Sequence, residues 1–152
     1  MSNLNHVISE LFEQDPELMT KPITYWWETP LIITVEANSS NRFVEKLVER
    51  IGAEDKLFLT SHGGNKSLHY AAKVGNTTAA KLLVEHNSEM TQVANVYGNT
   101  PLKLAALHGN KETLVDGDSR CISGVAGGDL ITLTLTAGFY GSPIFGFCPT
   151  TI

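Results

Sequence analysis

At 152 residues, with 42% apolar and 18% charged side chains, the chain has material for one folded domain with one core. Its formal net charge of −5 at pH 7 excludes a nucleic-acid binder of the usual kind, which needs a basic stripe to displace counterions. The two cysteines, Cys121 and Cys148, show neither CxxC nor Cys/His spacing and are expected as free thiols, not as a disulfide or metal ligands.

Met1–Asp15 holds acidic residues and no apolar run of signal-peptide length, so no secretory leader is expected. His6–Glu13 reads as an amphipathic helix with Val7, Ile8, Leu11 and Phe12 on one face, ended by Asp15-Pro16-Glu17. Thr20–Trp27 leads into Glu28-Thr29-Pro30-Leu31, where Thr29 can cap a helix and Pro30 can open it without the loss of a needed N–H. Asn38 stands at the corner that follows, a residue that tolerates the left-handed conformation. A second helix is expected over Asn41–Arg50.

Lys56–Thr60 is apolar enough to serve as a connector into Ser61-His62-Gly63-Gly64. The segment Gly64–Asn76, GNKSLHYAAKVGN, then returns as Gly98–Asn110, GNTPLKLAALHGN, with thirty-four residues separating Leu68 from Leu102. A period of this length marks a stacked repeat array, in which each unit is too small to bury its own apolar face. Within a unit, Leu102, Ala105 and Ala106 form a helical stripe, the alanines admit a close neighbour, and Gly109 closes the helix in a left-handed turn. Thr78–Glu85 supplies a second helix with Ala79, Leu82 and Leu83 on its apolar face, and Thr91–Asn95 corresponds to the earlier connector.

The pattern breaks after Val115. The helix begun by Lys111–Val115 runs into Asp116-Gly117-Asp118-Ser119-Arg120, a turn-forming stretch that cannot extend an amphipathic helix. Over residues 130–138 two signals compete: the Leu/Thr alternation from Ile131 to Thr136 reads as a strand, whereas the spacing of Ile131 and Gly138 matches that of Leu102 and Gly109 and reads as a helix. No charged residue follows Asp129, yet Pro143, Pro149 and several glycines argue against a membrane-spanning helix.

Thr100-Pro101-Leu102, Leu104-Ala105-Ala106 and Gly109 resemble the TPLHLAAxxG signature of ankyrin repeats. The second copy keeps Leu68, His69, Ala71, Ala72 and Gly75 with Lys66-Ser67 in place of Thr-Pro, and the first keeps Thr29, Pro30 and Leu31, thirty-seven residues before Leu68. The resemblance implies an all-α solenoid of stacked helix–turn–helix units with hairpin tips. The domain plan it implies is a capping helix and lead-in over residues 1–22 and repeats over residues 23–115. These fall at about residues 26–60, 61–95 and an incomplete 96–115, before a divergent tail at 116–152 that holds the remnant of a fourth repeat. ETPLIITVEANSSNRFVEKLVE and GGDLITLTLTAGFY further resemble plant ankyrin proteins that carry a membrane-embedded C-terminal PGG domain, although nothing here matches that domain itself. The longer relatives are membrane-anchored with a cytosolic ankyrin region and act in defence and stress signalling.

No catalytic constellation is legible. His6, His62, His69, His86 and His108 form no HExxH or close metal pair, and neither GxSxG nor paired acidic motifs accompany them. Gly63–Ser67 lacks the spacing of a phosphate loop, and Asn76-Thr77-Thr78, a glycosylation acceptor by pattern, is expected as a corner and cap. His69 holds the signature histidine position, for which the resemblance implies a structural hydrogen bond near the turn. No metal, cofactor, small-molecule substrate, nucleic acid or transmembrane segment is expected, and the compartment is expected to be the cytoplasm.

Function is expected on the concave side, where a solenoid presents its tips and inner helices to a protein partner. Transferred residue by residue, the variable positions of the signature are Val96, Tyr97, Asn99, Leu107 and His108 in the third repeat. In the second they are His62, Asn65, Lys73 and Val74, and in the first Tyr25, Trp26, Glu28 and Glu36. Trp26 and Tyr97 are the best anchors, since each offers a large ring with a polar atom. Two readings follow: a non-enzymatic interaction module, or a truncated fragment of a membrane-anchored signalling protein, favoured by the lost outer helices and the absent polar cap.

Overall fold

The computed structural model describes residues 10–110, apart from residues 11, 39, 53–56 and 58. The cap expected over His6–Glu13 therefore enters only through Glu10 and residues 12–14, which are helical, and the expectations for residues 111–152 lie outside the described residues. Among the described residues every regular element is helical: α1 (Pro30–Glu36), α2 (Asn41–Ile51), α3 (Ser67–Val74), α4 (Thr77–His86) and α5 (Pro101–Leu107). Short 3₁₀ helices span Pro16–Met19 and Ser88–Gln92.

The starts of these helices follow from their caps. Thr29 Oγ1 accepts from the Ile32 amide at 3.4 Å and Thr100 Oγ1 from the Lys103 amide at 3.3 Å, each followed by proline in the first turn. Asn76, not the threonines after it, caps α4, its Oδ1 accepting from the Ala79 amide at 3.1 Å. The ends follow from corners: Asn38 takes φ 48°, Gly75 takes 75° and Gly109 takes 74°.

Two layers result. The inner layer is α1, α3 and α5, with α3 packed against both of its neighbours, and the outer layer is α2 and α4, which pack on each other and on their own inner helices. From α2 the core takes Val44, Leu47, Val48 and Ile51, at the spacing of one helical face. From the inner helices it takes Leu31, Ile32, Val35, Leu68 and Ala71, and from α4 Ala79, Ala80 and Leu83. Each large aliphatic side chain buried in this way contributes roughly 1.5–3 kcal/mol. Leu82, expected on the apolar face of α4, packs only partly against this core.

The helical residues 12–14 end at Asp15, and a 3₁₀ turn follows: Asp15 caps it, its Oδ1 accepting from the Glu17 amide at 3.1 Å, and Met19 from that turn is buried. The connector at Thr91–Asn95 is preceded and overlapped by the 3₁₀ helix Ser88–Gln92, which drives Met90 fully into the core.

Candidate functional site

Three chain reversals stand side by side at the open ends of the inner helices. Each opens on a short polar residue, Thr24, Ser61 or Asn95, and closes through an amide three residues on: Trp27 N–H donates to Thr24 O at 3.1 Å, Gly64 N–H to Ser61 O at 2.8 Å and Gly98 N–H to Asn95 O at 3.0 Å. The closing residue is left-handed in all three, with φ 63°, 70° and 71°. In the first tip that residue is a tryptophan, for which the conformation is strained.

The tips are tied to one another through the backbone. His62 N–H donates to Trp26 O at 2.8 Å, and Val96 N–H repeats the bond one unit later with Gly63 O at 3.2 Å. The crest so formed is aromatic and open to solvent: Tyr25 is 83% exposed, Trp26 62%, Trp27 60% and Tyr97 74%. Tyr25 meets Trp26 edge-on with centroids 5.5 Å apart, and Trp27 meets the His62 ring at 5.9 Å.

Beneath the second and third tips lies an open groove of about 190 Å³, lined by Asn65, His69, Tyr70, Lys73, Asn95, Tyr97, Asn99, Leu104 and His108. Of the residues expected to bind a partner, it brings together Asn65, Lys73, Tyr97, Asn99 and His108. Trp26, His62 and Val96 lie on the crest instead, while Leu107 is exposed and Val74 half-buried at the corner end of the inner helices. Tyr70, Asn95 and Leu104 are not among the variable positions of the signature; for Asn95 the thirty-four-residue register contains a signal, because it places Asn95 opposite Ser61.

An asparagine network sets the groove's polarity. Asn95 Oδ1 accepts from the amides of Tyr97 at 3.0 Å and Asn99 at 2.9 Å, which leaves its Nδ2 to donate to Asn65 Oδ1 at 2.7 Å. His69 is fully buried and bridges two repeats. Its Nδ1 accepts from the Lys66 amide at 3.1 Å, so Nε2 carries the proton and donates to Asn99 O at 3.1 Å. Its second partner is therefore the next tip and not its own turn. Burial holds its pKa below the ordinary value, and with both nitrogens engaged the ring is no free base.

The first repeat contributes two carboxylates, both engaged. Glu28 accepts from Tyr70 Oη at 3.1 Å and from Thr24 Oγ1 at 2.9 Å; burial, reinforced by this carboxylate, raises the Tyr70 pKa. Glu36 pairs with Lys73 at 3.2 Å, and Lys73 Nζ also lies 5.6 Å from the Tyr70 ring centroid. At the far end, Asn110 Nδ2 donates to Ala72 O and Lys73 O at 2.8 Å each, closing the carbonyl end of α3 from the following unit. Among the described residues no three His, Cys, Asp or Glu side chains gather as metal ligands, and no helix is long and apolar enough to cross a membrane.

A family model described as ankyrin repeats (3 copies) matches the sequence over residues 1–92 and again over residues 31–115. The chain belongs to the ankyrin-repeat family. Its fold is the all-helical ankyrin solenoid. One chain of the crystal structure of the yeast ribosomal protein Rps3 in complex with its chaperone Yar1 is similar to this ankyrin array with a TM-score of 0.66 and 18% identity, over 74% of this chain and 81% of that one. No curated protein matches the array. In ankyrin terms the groove lies between the second and third inner helices, and the crest is the row of hairpin tips.

Proposed function

We propose that this protein is a non-enzymatic interaction module that binds a protein partner along the crest and groove. The observation that carries the reading is the crest itself: four large aromatic side chains, Tyr25, Trp26, Trp27 and Tyr97, stand more than half exposed on a rigid hydrogen-bonded scaffold. Rings presented in this way lose little conformational freedom on binding and supply the anchors that dominate interfaces. A cytoplasmic location fits this reading. A photo-crosslinking residue introduced at Tyr97 tests it against one at Glu85 on α4. A discrete adduct from position 97, absent from position 85 and lost in Trp26→Ala, supports the module. Equal labelling from both positions refutes it.

A finer reading makes this array the cytosolic part of a plant-type, membrane-anchored signalling protein. It is supported by the wording of residues 28–49 and 127–140 alone. A longer transcript in which the sequence after Val115 continues with apolar residues at helical spacing would support it, and transcripts that all stop after Ile152 would overturn it.

A further inference from the structure

The groove is built to meet an acceptor. Three of its acceptor oxygens are spent inside the protein: Asn95 Oδ1 on two backbone amides, Asn65 Oδ1 on Asn95, and Asn99 O on His69. Donors predominate among the groups left to face a ligand: the Asn65 amide, Lys73 Nζ, which retains N–H groups beyond its bond to Glu36, and the Tyr97 hydroxyl, the Asn99 side-chain amide and the His108 ring, each of which can also accept.

Charge is distributed to the same effect. The protein is acidic overall, yet no Asp or Glu occurs among residues 59–84 or 90–110, which supply the tips and inner helices of the second and third repeats. Two carboxylates of the first repeat reach groove residues, and both are already bonded, Glu28 to Tyr70 and Glu36 to Lys73. A partner's lysine or arginine would find no open carboxylate in the groove, whereas a partner's carboxylate would find donors on both walls. Apolar surface adjoins them in Tyr97, 74% exposed, and the half-buried Leu104.

Building on the interaction reading above, we propose that the groove receives an acidic peptide segment of the partner, a carboxylate seated among Lys73, Asn65 and His108 with an apolar side chain against Tyr97. Complementarity of this kind sets which partner is accepted more than how tightly it is held.

The test is selection of random twelve-residue peptides displayed on phage against the full chain, followed by fluorescence anisotropy of the selected peptides. The expected pool is enriched in Asp and Glu beside an aromatic or aliphatic residue. Its members weaken about tenfold between low and high salt, as exposed charge pairs do. Lys73→Gln weakens them about fivefold or more, Tyr97→Ala does likewise, and Lys81→Gln on α4 has no effect, with far-UV circular dichroism unchanged throughout. A neutral or basic pool that still depends on Tyr97 would overturn the acidic-segment proposal and leave the interaction reading standing. Peptides indifferent to both Tyr97→Ala and Trp26→Ala would overturn both. A concentration-dependent dimer abolished by Lys73→Gln would assign the groove to a second copy of this chain and overturn the proposal as stated.

Discussion

His69 donates from Nε2 to the backbone carbonyl of Asn99 at 3.1 Å, so a side chain buried in one repeat holds the hairpin tip of the next. Protonating Nδ1 would set a second donor against the Lys66 amide, 3.1 Å away, at a ring with no exposed surface. Because burial depresses the folded pKa below the unfolded value of 6.5, the unfolded chain binds the proton more readily. The contribution to stability is therefore complete above pH 6.5 and is lost as pH falls through the folded value. Urea unfolding at pH 7.5 and 5.5 should show the wild type losing stability toward acid with a slope that His69→Leu reduces. His69→Leu itself should cost about 1–3 kcal/mol at pH 7.5, through the two partners left unbonded. Parallel pH slopes for the two proteins would contradict this account.

Gly75 and Gly109 share a left-handed conformation but not a neighbourhood. A Cβ on Gly75 would lie 2.8 Å from Asn110 Oδ1, while one on Gly109 meets nothing within 4 Å among the described residues. Gly109→Ala should cost only the roughly 1–2 kcal/mol of the backbone conformation. Gly75→Ala should cost measurably more. In the double variant with Asn110→Ala the excess should vanish, a coupling that a double-mutant cycle on thermal midpoints would detect. Equal losses for the two alanines would show that Asn110 yields without cost.

Trp27 occupies the tip position that glycine holds in the other two repeats, at φ 63° and 60% exposed. Little packing offsets the strain beyond its edge contact with His62. Replacement by asparagine, which tolerates this backbone region, should stabilise the free protein by about 0.5–1 kcal/mol. Under the interaction reading the same change should weaken partner binding. A thermal midpoint lowered by Trp27→Asn would mean that the indole supports the fold.

Met90 has no exposed surface and reaches the core from a 3₁₀ turn. Met90→Ala should cost about 2–5 kcal/mol by loss of burial and formation of a cavity, and Met90→Leu less than about 1.5 kcal/mol. Tyr97→Ala, by contrast, should change stability by no more than about 0.5 kcal/mol, as expected at a surface position. Denaturant midpoints for the three variants check the ranking; a Tyr97→Ala loss as large as that of Met90→Ala would place Tyr97 in the structural core.

The features legible in the sequence are those whose causes lie within a few residues of their effects. Thr29-Pro30 and Thr100-Pro101 start helices because cap and first turn are adjacent, Asn38, Gly75 and Gly109 end them because the corner needs a left-handed residue, and the α2 stripe shows itself through helical spacing. The thirty-four-residue recurrence adds the architecture, since a unit too small for its own core must stack. By itself, then, the sequence determined the helices, their corners, the repeat and the expectation of a concave binding side.

Only the tertiary structure decided which variable residues share a site. The bonds concerned join residues thirty or more positions apart: Asn65 with Asn95, His69 with Asn99, Glu36 with Lys73, and Asn110 with the end of α3. A side chain's exposure and remaining hydrogen-bond capacity depend on what the neighbouring repeat places against it, and no local pattern encodes that. Trp26, Lys73 and Tyr97 read alike as variable positions. Stacking alone set Trp26 on the crest, tied Lys73 to a carboxylate of the first repeat, and spent the oxygens of Asn65 and Asn95 within the protein.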